Sequence, residues 1–354
     1  MEKNITWVEI TKIEQLISIL PQWERLIKTQ TTYTVFSSIS WLNSWLETFW
    51  QNDWQLNVLI AWCEDELVAI VPIYYQQDNT LLPIKIFYPL GQGEVEAQEV
   101  STEYIEIIFD KKFQNYTLPR IQLWLLNLKA DQIKWHALLH NSPIKSMLEK
   151  HKQSIPLQAT RYCVDCSNWS IDKLSKNMRS RYRRGFNQLD KLNGEMIWVK
   201  QSDFDLYWTK MKLFHQHRWQ EKNKKGAFCS DEFNKFHTKF RNKSPKNVAM
   251  SAILINNSPI AIHYYFSDAT TLYFYQSGWD EAEYSHLSPG MLLHLWSIKN
   301  NHKTYYDFMM GKKHDSYKAK FGTIQEPMYN ITITFSPIKL LIHRILKKMK
   351  LYRL

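Results

Sequence analysis

The stretch "LYFYQSGWDEAEYSHLSPGMLLHLW", residues 272–296, opens as a buried strand and closes as an amphipathic helix. Between them lie Gly278, a polar loop and the triplet Ser288-Pro289-Gly290. Ser288 suits an N-cap and Pro289 the first helical position. The backbone N–H groups of Gly290, Met291 and Leu292 are then expected to lack helical partners and to face the space beyond the strand end. Gly290 has no side chain to keep a ligand away, and the helix dipole favours an anion there. The plain alternative is an ordinary capped helix facing water.

Working outward, "NVAMSAILI", "IAIHYYFS" and "LYFYQSG" are three apolar runs. Polar turns at 256–259 and 268–271 join them into an antiparallel meander. After the Ser-Pro-Gly helix comes a short strand, "TYYDFMM", so this β-helix-β step should be a right-handed crossover with parallel strands. Upstream lie a basic helix, "SKNMRSRYRRGFNQLDKLNG", a strand, "GEMIWVKQ", and two further helices. The N-terminal half repeats the theme: the helix "SISWLNSWLETFW" carries Trp41, Trp45 and Phe49 on one face, and two apolar strands flank the polar turn 63–66. The expectation is a mixed α/β (α+β) chain of two domains, 1–165 and 166–336, each a mostly antiparallel sheet with flanking helices and a parallel crossover. Residues 337–354 form a basic amphipathic helix, with Ile338, Leu341, Ile342, Ile345 and Met349 on one face and Lys339, His343, Arg344, Lys347 and Lys348 on the other.

A chain of 354 residues exceeds one ordinary domain, consistent with that division. The net charge of +11 favours anionic partners: nucleotide phosphates, nucleic acid or an acidic membrane face. Four cysteines are too few for a disulfide scaffold, and the Cys163–Cys166 pair has no second pair to complete a zinc site, so no metal is expected. The first residues lack the apolar core of a secretory signal, and no stretch approaches a membrane span. A cytoplasmic location is the default, with peripheral attachment at the inner face of the membrane through 337–354.

The motifs, taken in order, resemble those of the CelD-like branch of the GNAT acyltransferase superfamily, which is related to the Fem peptidyltransferases. They read "NMRSRYRRGFNQL", "LFHQHRW", "GAFCSDEFNKFH", "SPIAIHYYF", "FYQSGW", "LSPG" and "YDFMMGKKHDSYKAKFG". Two departures are Phe321, where that family often has Trp, and the turn at Asn257-Ser258, which lacks the usual Gly. The resemblance implies tandem GNAT-like domains and an acyl-coenzyme A co-substrate. The donor would lie along the strand 273–278, touching Gln276, Ser277 and Gly278, with its pyrophosphate on Ser288, Pro289, Gly290 and Met291. A locally splayed sheet would let the strand backbone pair with the pantetheine amides.

For the chemistry, the resemblance singles out His215 as a base, with Asp307 at the end of the last core strand as a second candidate. Against these stand a packed histidine and a structural carboxylate. A departing thiolate would take a proton from Tyr275 or Tyr317, and Lys318 would hold an anionic group. Arg179 and Arg183 share one face of the basic helix, whereas Arg181 and Arg184 lie around its side; Arg218 and Trp219 complete the expected substrate contacts. The favoured function is transfer of an acyl (acetyl) group to an amine of a sugar or small metabolite, in envelope or exopolysaccharide synthesis. Two other readings stand beside it: a Fem-type transferase using aminoacyl-tRNA, and a non-catalytic binding or scaffold protein that keeps the fold.

Overall fold

A computed structural model describes residues 4–29, 33–77, 81–151, 154–221, 225–311 and 317–351. Residues 312–316 of the "YDFMMGKKHDSYKAKFG" motif and 352–354 of the tail lie outside the described residues. The chain forms two compact units: Met1–Val95, Glu99–Gln158 and Met328–Leu354 make the first, Glu96–Gln98 and Ala159–Pro327 the second. Residues 328–336, read from sequence with the second domain, therefore sit with the first. The reason is strand pairing: Met328–Thr334 run antiparallel to the Gln132–Leu139 strand of the first unit.

In the first unit, the strands Ile5–Ile10, Gln55–Cys63, Glu66–Gln77 and Lys85–Pro89 follow one another antiparallel. The helix Gln114–Leu126 then crosses over to Gln132–Leu139, which pairs parallel with Lys85–Pro89. Leu67–Tyr74 is buried without a break, as a central strand covered on both faces must be. Val68, Val71 and Ile73 pack with Ile121 and Leu125 of the crossover helix and with Trp135, Ile331 and Ile333. Ser38 caps the Ile39–Phe49 helix by accepting from the Trp41 N–H (3.1 Å), and Trp41, Trp45 and Phe49 are all buried.

The second unit repeats the plan. Glu195–Trp198, Val248–Ile255, Ser258–Ser267 and Thr271–Trp279 form an antiparallel series. The helix Pro289–Asn300 crosses over to Tyr305–Gly311, parallel to Thr271–Trp279 and antiparallel to Thr160–Asp165. Asn256 and Asn257 both take left-handed backbone (φ 50° and 61°), so asparagine replaces the glycine expected in this tight hairpin. The fold is thus a tandem GNAT-like α/β architecture.

One contact fixes the Phe204–Gln220 helix on the second sheet. A Cβ at Gly278 would lie 2.4 Å from the Met211 carbonyl oxygen and 3.0 Å from the Phe214 Cβ. Gly278 is therefore the point where helix backbone meets strand backbone, not a cofactor contact. Gly278→Ala should force the helix off the sheet and cost about 1–3 kcal/mol. Urea denaturation checks this; an unchanged midpoint contradicts it.

Candidate active site

The two parallel strands of the second unit do not stay together. Their register runs from Thr271↔Tyr305 to Tyr273↔Asp307, and past that point no further pair is recorded among the described residues. Two irregularities produce the opening. On one strand Tyr275 is an extra residue: Phe274 faces Tyr265 and Gln276 faces Tyr264, which leaves Tyr275 as a bulge. On the other, the register jumps from Asp307↔Cys163 to Met310↔Arg161, with Met309 at φ 61°.

Asp307 holds the second irregularity. It is fully buried, accepts from the Met309 N–H (2.7 Å) and takes Nε of Arg161 at 2.7 Å, while Nη1 of Arg161 bonds Glu326 at 2.8 Å. With its oxygens committed to Arg161 and a backbone amide, Asp307 shapes the strand. Lys318 is structural too. Its ammonium donates to the carbonyls of Phe308 (2.6 Å) and Met310 (2.9 Å), backbone groups on the strand beyond the point where pairing with Thr271–Trp279 ends. Lys318→Met should leave those carbonyls stranded and lower stability by about 1–3 kcal/mol for each. Thermal unfolding tests this, and a variant as stable as the parent would refute the role.

A cavity of about 480 Å³ occupies the opening. Phe274, Tyr275, Gln276 and Ser277 form one wall, and Ser288, Pro289, Gly290 and Met291 form another. Tyr317, Lys320 and Phe321 close a third side, with Arg181 and Arg218 at the edge. The helix start differs from the sequence expectation. Ser288 sits in left-handed backbone (φ 53°, ψ 52°) and makes no side-chain cap. Its carbonyl takes the N–H groups of both Met291 (3.0 Å) and Leu292 (3.2 Å), so of the three amides expected to point outward only that of Gly290 has no recorded partner. A non-glycine residue held there stores strain of about 1–3 kcal/mol.

The floor was not foreseen from sequence. His263 and His294 lie with ring centroids 4.3 Å apart and both line the cavity. His294 Nδ1 is 2.7 Å from the Tyr306 hydroxyl and His263 Nδ1 is 3.2 Å from that of Tyr265. Tyr265 Oη donates to Ser297 Oγ (2.9 Å), so toward His263 it accepts. This places the ring proton of His263 on Nδ1 and leaves Nε2 as a bare acceptor. That nitrogen is buried without a partner, and a Cβ added at Gly290 would lie 3.9 Å from it. Burial pushes His263 down to about 3 and holds His294 well below its usual value, so both rings are neutral at physiological pH. The sequence signal available was only "IAIHYYF", where a histidine in a buried strand reads as core.

His215 lies elsewhere. It is buried, its Nε2 accepts from Trp219 Nε1 (2.9 Å), and its ring packs edge-on against Phe228 (4.8 Å). Neither His215 nor Trp219 lines the cavity. Burial, then the charge of Arg218, pushes His215 down to about 4, too weak a base for neutral pH. Tyr275 packs on Phe266, His237 and Phe233 and is chiefly wall. Tyr317 is held up to about 12 by loss of hydration around its hydroxyl, so it stays a neutral proton donor. On the basic helix Lys176–Lys191 the useful face is the other one. Arg179 donates to the carbonyls of Asp172 and Leu174, and Arg183 is exposed and lines none of the described cavities. Arg181 and Arg184 line adjoining hollows with Gln188, Ser288 and Lys320. Arg218 stacks on Trp279 (4.1 Å) and pairs with Glu281 (3.6 Å), which brings a carboxylate onto the cavity wall.

The buried titratable groups give the two units opposite responses to acid. His215, His237 and His263 sit at about 4, 3 and 3, below the 6.5 of an unfolded histidine. The unfolded chain therefore takes up protons below pH 6.5 that the folded second unit refuses, and stability falls as pH drops through that window. Between pH 7 and 5 the loss is about 2 kcal/mol for each histidine. In the first unit, burial raises Glu94 and Glu106 to about 7, so these two groups favour the folded form as pH drops from 7 to 4.5, while His136, lowered by burial, acts in the opposite sense and offsets part of the gain. Hydrogen exchange at pH 7 and 5, corrected for the intrinsic rate, should show protection lost in 159–327 and kept in 99–158. Equal responses would contradict the assignment.

Residues 176–319 match the family described as acetyltransferase (GNAT) domain. The second unit therefore carries a GNAT-type acyltransferase domain. The whole chain is similar in fold to the crystal structure of FemX, at 9% identity and a TM-score of 0.59, covering 95% of this chain and 99% of that one. It is also similar to a DUF2156 domain from Agrobacterium fabrum (10% identity, TM-score 0.54, coverage 92% and 95%). A third likeness is to a conserved protein of unknown function from Bacteroides thetaiotaomicron VPI-5482 (10%, 0.52, coverage 94% and 100%). At these identities the likeness is one of fold. No curated protein matches the sequence. Among the described residues no cluster able to hold a metal occurs, and no helix is long and apolar enough to cross a membrane.

Proposed function

We propose that the chain transfers an acyl group from acyl-coenzyme A to an amine, as a member of the CelD-like branch of the GNAT superfamily. The observation that carries this reading is the parted strand pair beside Gly290, which exposes the Phe274–Ser277 backbone edge along a cavity. Pantetheine amides would pair with that edge. The pyrophosphate would sit at the Gly290 amide and the Ser288 hydroxyl, and Arg181, Arg184 and Lys320 would meet the remaining phosphate charge. His263 Nε2 accepts a hydrogen bond from the donor at the cavity floor; with its basicity so depressed it positions the donor and does not remove protons.

For the reaction, the acceptor nitrogen attacks the thioester carbonyl and the C–S bond breaks. Glu281 takes one proton from the cationic amine to free its lone pair before the attack; the thiolate then takes the Tyr317 phenolic proton, and the tyrosinate takes the second proton from the new amide nitrogen. Glu281 also supplies the negative charge that draws a cationic amine to the site. A sugar amine, in envelope or exopolysaccharide synthesis, is the acceptor we favour. The Arg181–Arg184 face supports a second reading, in which a charged tRNA supplies the acyl group as in Fem enzymes; that activity would be destroyed by RNase.

Gly290→Glu should raise the dissociation constant of acetyl-coenzyme A by about 100-fold through size and charge at one point, with the fold intact by circular dichroism. His263→Phe should weaken the donor about tenfold, the worth of one buried hydrogen bond. Glu281→Gln should leave donor affinity alone and lower kcat/KM for the amine. Calorimetry and steady-state kinetics test these. Undisturbed donor binding in Gly290→Glu would overturn the placement.

A further inference from the structure

The helix Pro337–Leu351 sits on the first unit with its apolar side outward. An amphipathic helix ordinarily turns that side to the core. Here Leu340 and His343 are the buried positions, and Lys339 Nζ reaches Asp131 at 2.6 Å. Opposite them Ile338 is 74% exposed, Leu341 59%, Ile342 44% and Ile345 49%. Positions 338, 341, 342 and 345 fall on one helical face by their spacing. The segment 337–351 contains no acidic residue. Arg344 and Lys348 flank the aliphatic face and are exposed; Lys347, also exposed, lies on the opposite side of the helix. Half-buried Lys134 of the Gln132–Leu139 strand adds to this charge: burial, then the nearby Arg344, lowers its basicity. Asp131 is already engaged by Lys339, so the basic flank keeps its charge.

We propose that this helix is a membrane-surface anchor: it lies in the interface of a bilayer containing anionic lipid, with the four aliphatic side chains among the acyl chains and Arg344 and Lys348 at the headgroups. Charge complementarity selects this occupant. A second copy of the chain would bring the same basic flank against itself, whereas an anionic leaflet neutralises it. The apolar face supplies partition into the acyl region, and each basic residue near the surface adds about fivefold in affinity. The helix is anchored to its unit on one side and free on the other, so binding requires no unfolding. The proposal does not depend on the acyltransfer reading.

The test is co-sedimentation of the full chain with phosphatidylcholine vesicles and with phosphatidylcholine–phosphatidylglycerol vesicles. The unaltered chain should bind the mixed vesicles, bind the neutral ones far more weakly, and release as salt is raised. Leu341→Asp/Ile345→Asp, both at exposed positions, should lower binding by at least about 100-fold with an unchanged melting temperature. Arg344→Gln/Lys348→Gln should lower it by about 10- to 30-fold and flatten the salt dependence. The proposal fails if the chain ignores both vesicle types, or if both double variants bind as the parent does. It also fails if the unaltered chain is a dimer in sedimentation that Leu341→Asp/Ile345→Asp dissociates, because the face would then be covered by a second copy.

Discussion

The buried carboxylate of Asp307 is the constraint on which the second unit's site depends. A charge with no access to water must be matched, and Arg161 and the Met309 amide match it. Meeting both partners imposes an irregular backbone: the strand gains one residue relative to its neighbour at Cys163–Arg161, and Met309 enters left-handed space. From that residue onward the strand no longer follows Thr271–Trp279. The sheet opens because one strand is bent by an ion pair and the other is bulged at Tyr275. Lys318 makes the opening tolerable by taking the carbonyls of Phe308 and Met310. Two residues expected to do chemistry instead build the space in which chemistry is proposed.

The two units show why duplication of a plan does not duplicate a site. In the first, the Glu66–Gln77 and Lys85–Pro89 strands pair without a slip from Ile73↔Pro89 to Gln77↔Lys85, and no bulge matches Tyr275. Its crossover helix, Gln114–Leu126, carries Pro119 within it and follows a one-turn 3-10 segment capped by Asp110. The slip on the parallel strand is shared: against Met328–Thr334 the register jumps from Tyr329↔Leu138 to Ile331↔Trp135, with Ala137 at φ 56°, and pairing with Lys85–Pro89 is recorded only at Ile86↔Gln132 and Phe87↔Ile133. Among the described residues the two units differ at the Tyr275 bulge and at the start of the crossover helix.

Much of this architecture was legible from periodicity. The meander 248–279, the crossover helix and the parallel strand follow from alternation, turn residues and Ser-Pro-Gly. So does the cavity's place beside Gly290. What was not legible is direction. Helical spacing groups Arg179 with Arg183 and Arg181 with Arg184, but which pair faces the site depends on how Gly185 packs against Leu292 of the crossover helix. His215 stood out because of its motif, while His263 and His294 stood in apolar runs that read as core; burial reverses their ranking. Helical spacing groups Lys339 and His343 with Arg344, Lys347 and Lys348, yet nothing in a lone helix says that the Asp131–Lys339 contact will turn the first two inward and leave the other three exposed.

The cavity also sorts charge along its length. Its edge carries Arg181, Arg218 and Lys320, and its floor is the pair of neutral imidazoles His263 and His294. Were those rings charged, an anion would be held as well at the floor as at the edge, and a long ligand would have no preferred direction. Burial removes that competition, since an imidazolium packed against Phe274 and Phe308 would lose its hydration. For the donor proposed above this would give a one-way gradient: phosphate charge toward the arginines and the Gly290 amide, neutral amide and thioester groups toward Nε2 of His263. The histidine network of Tyr265, Ser251 and Ser297 keeps the ring in the tautomer that accepts. Orientation of the proposed donor would therefore follow from the low basicity of the floor as much as from the cations at the rim.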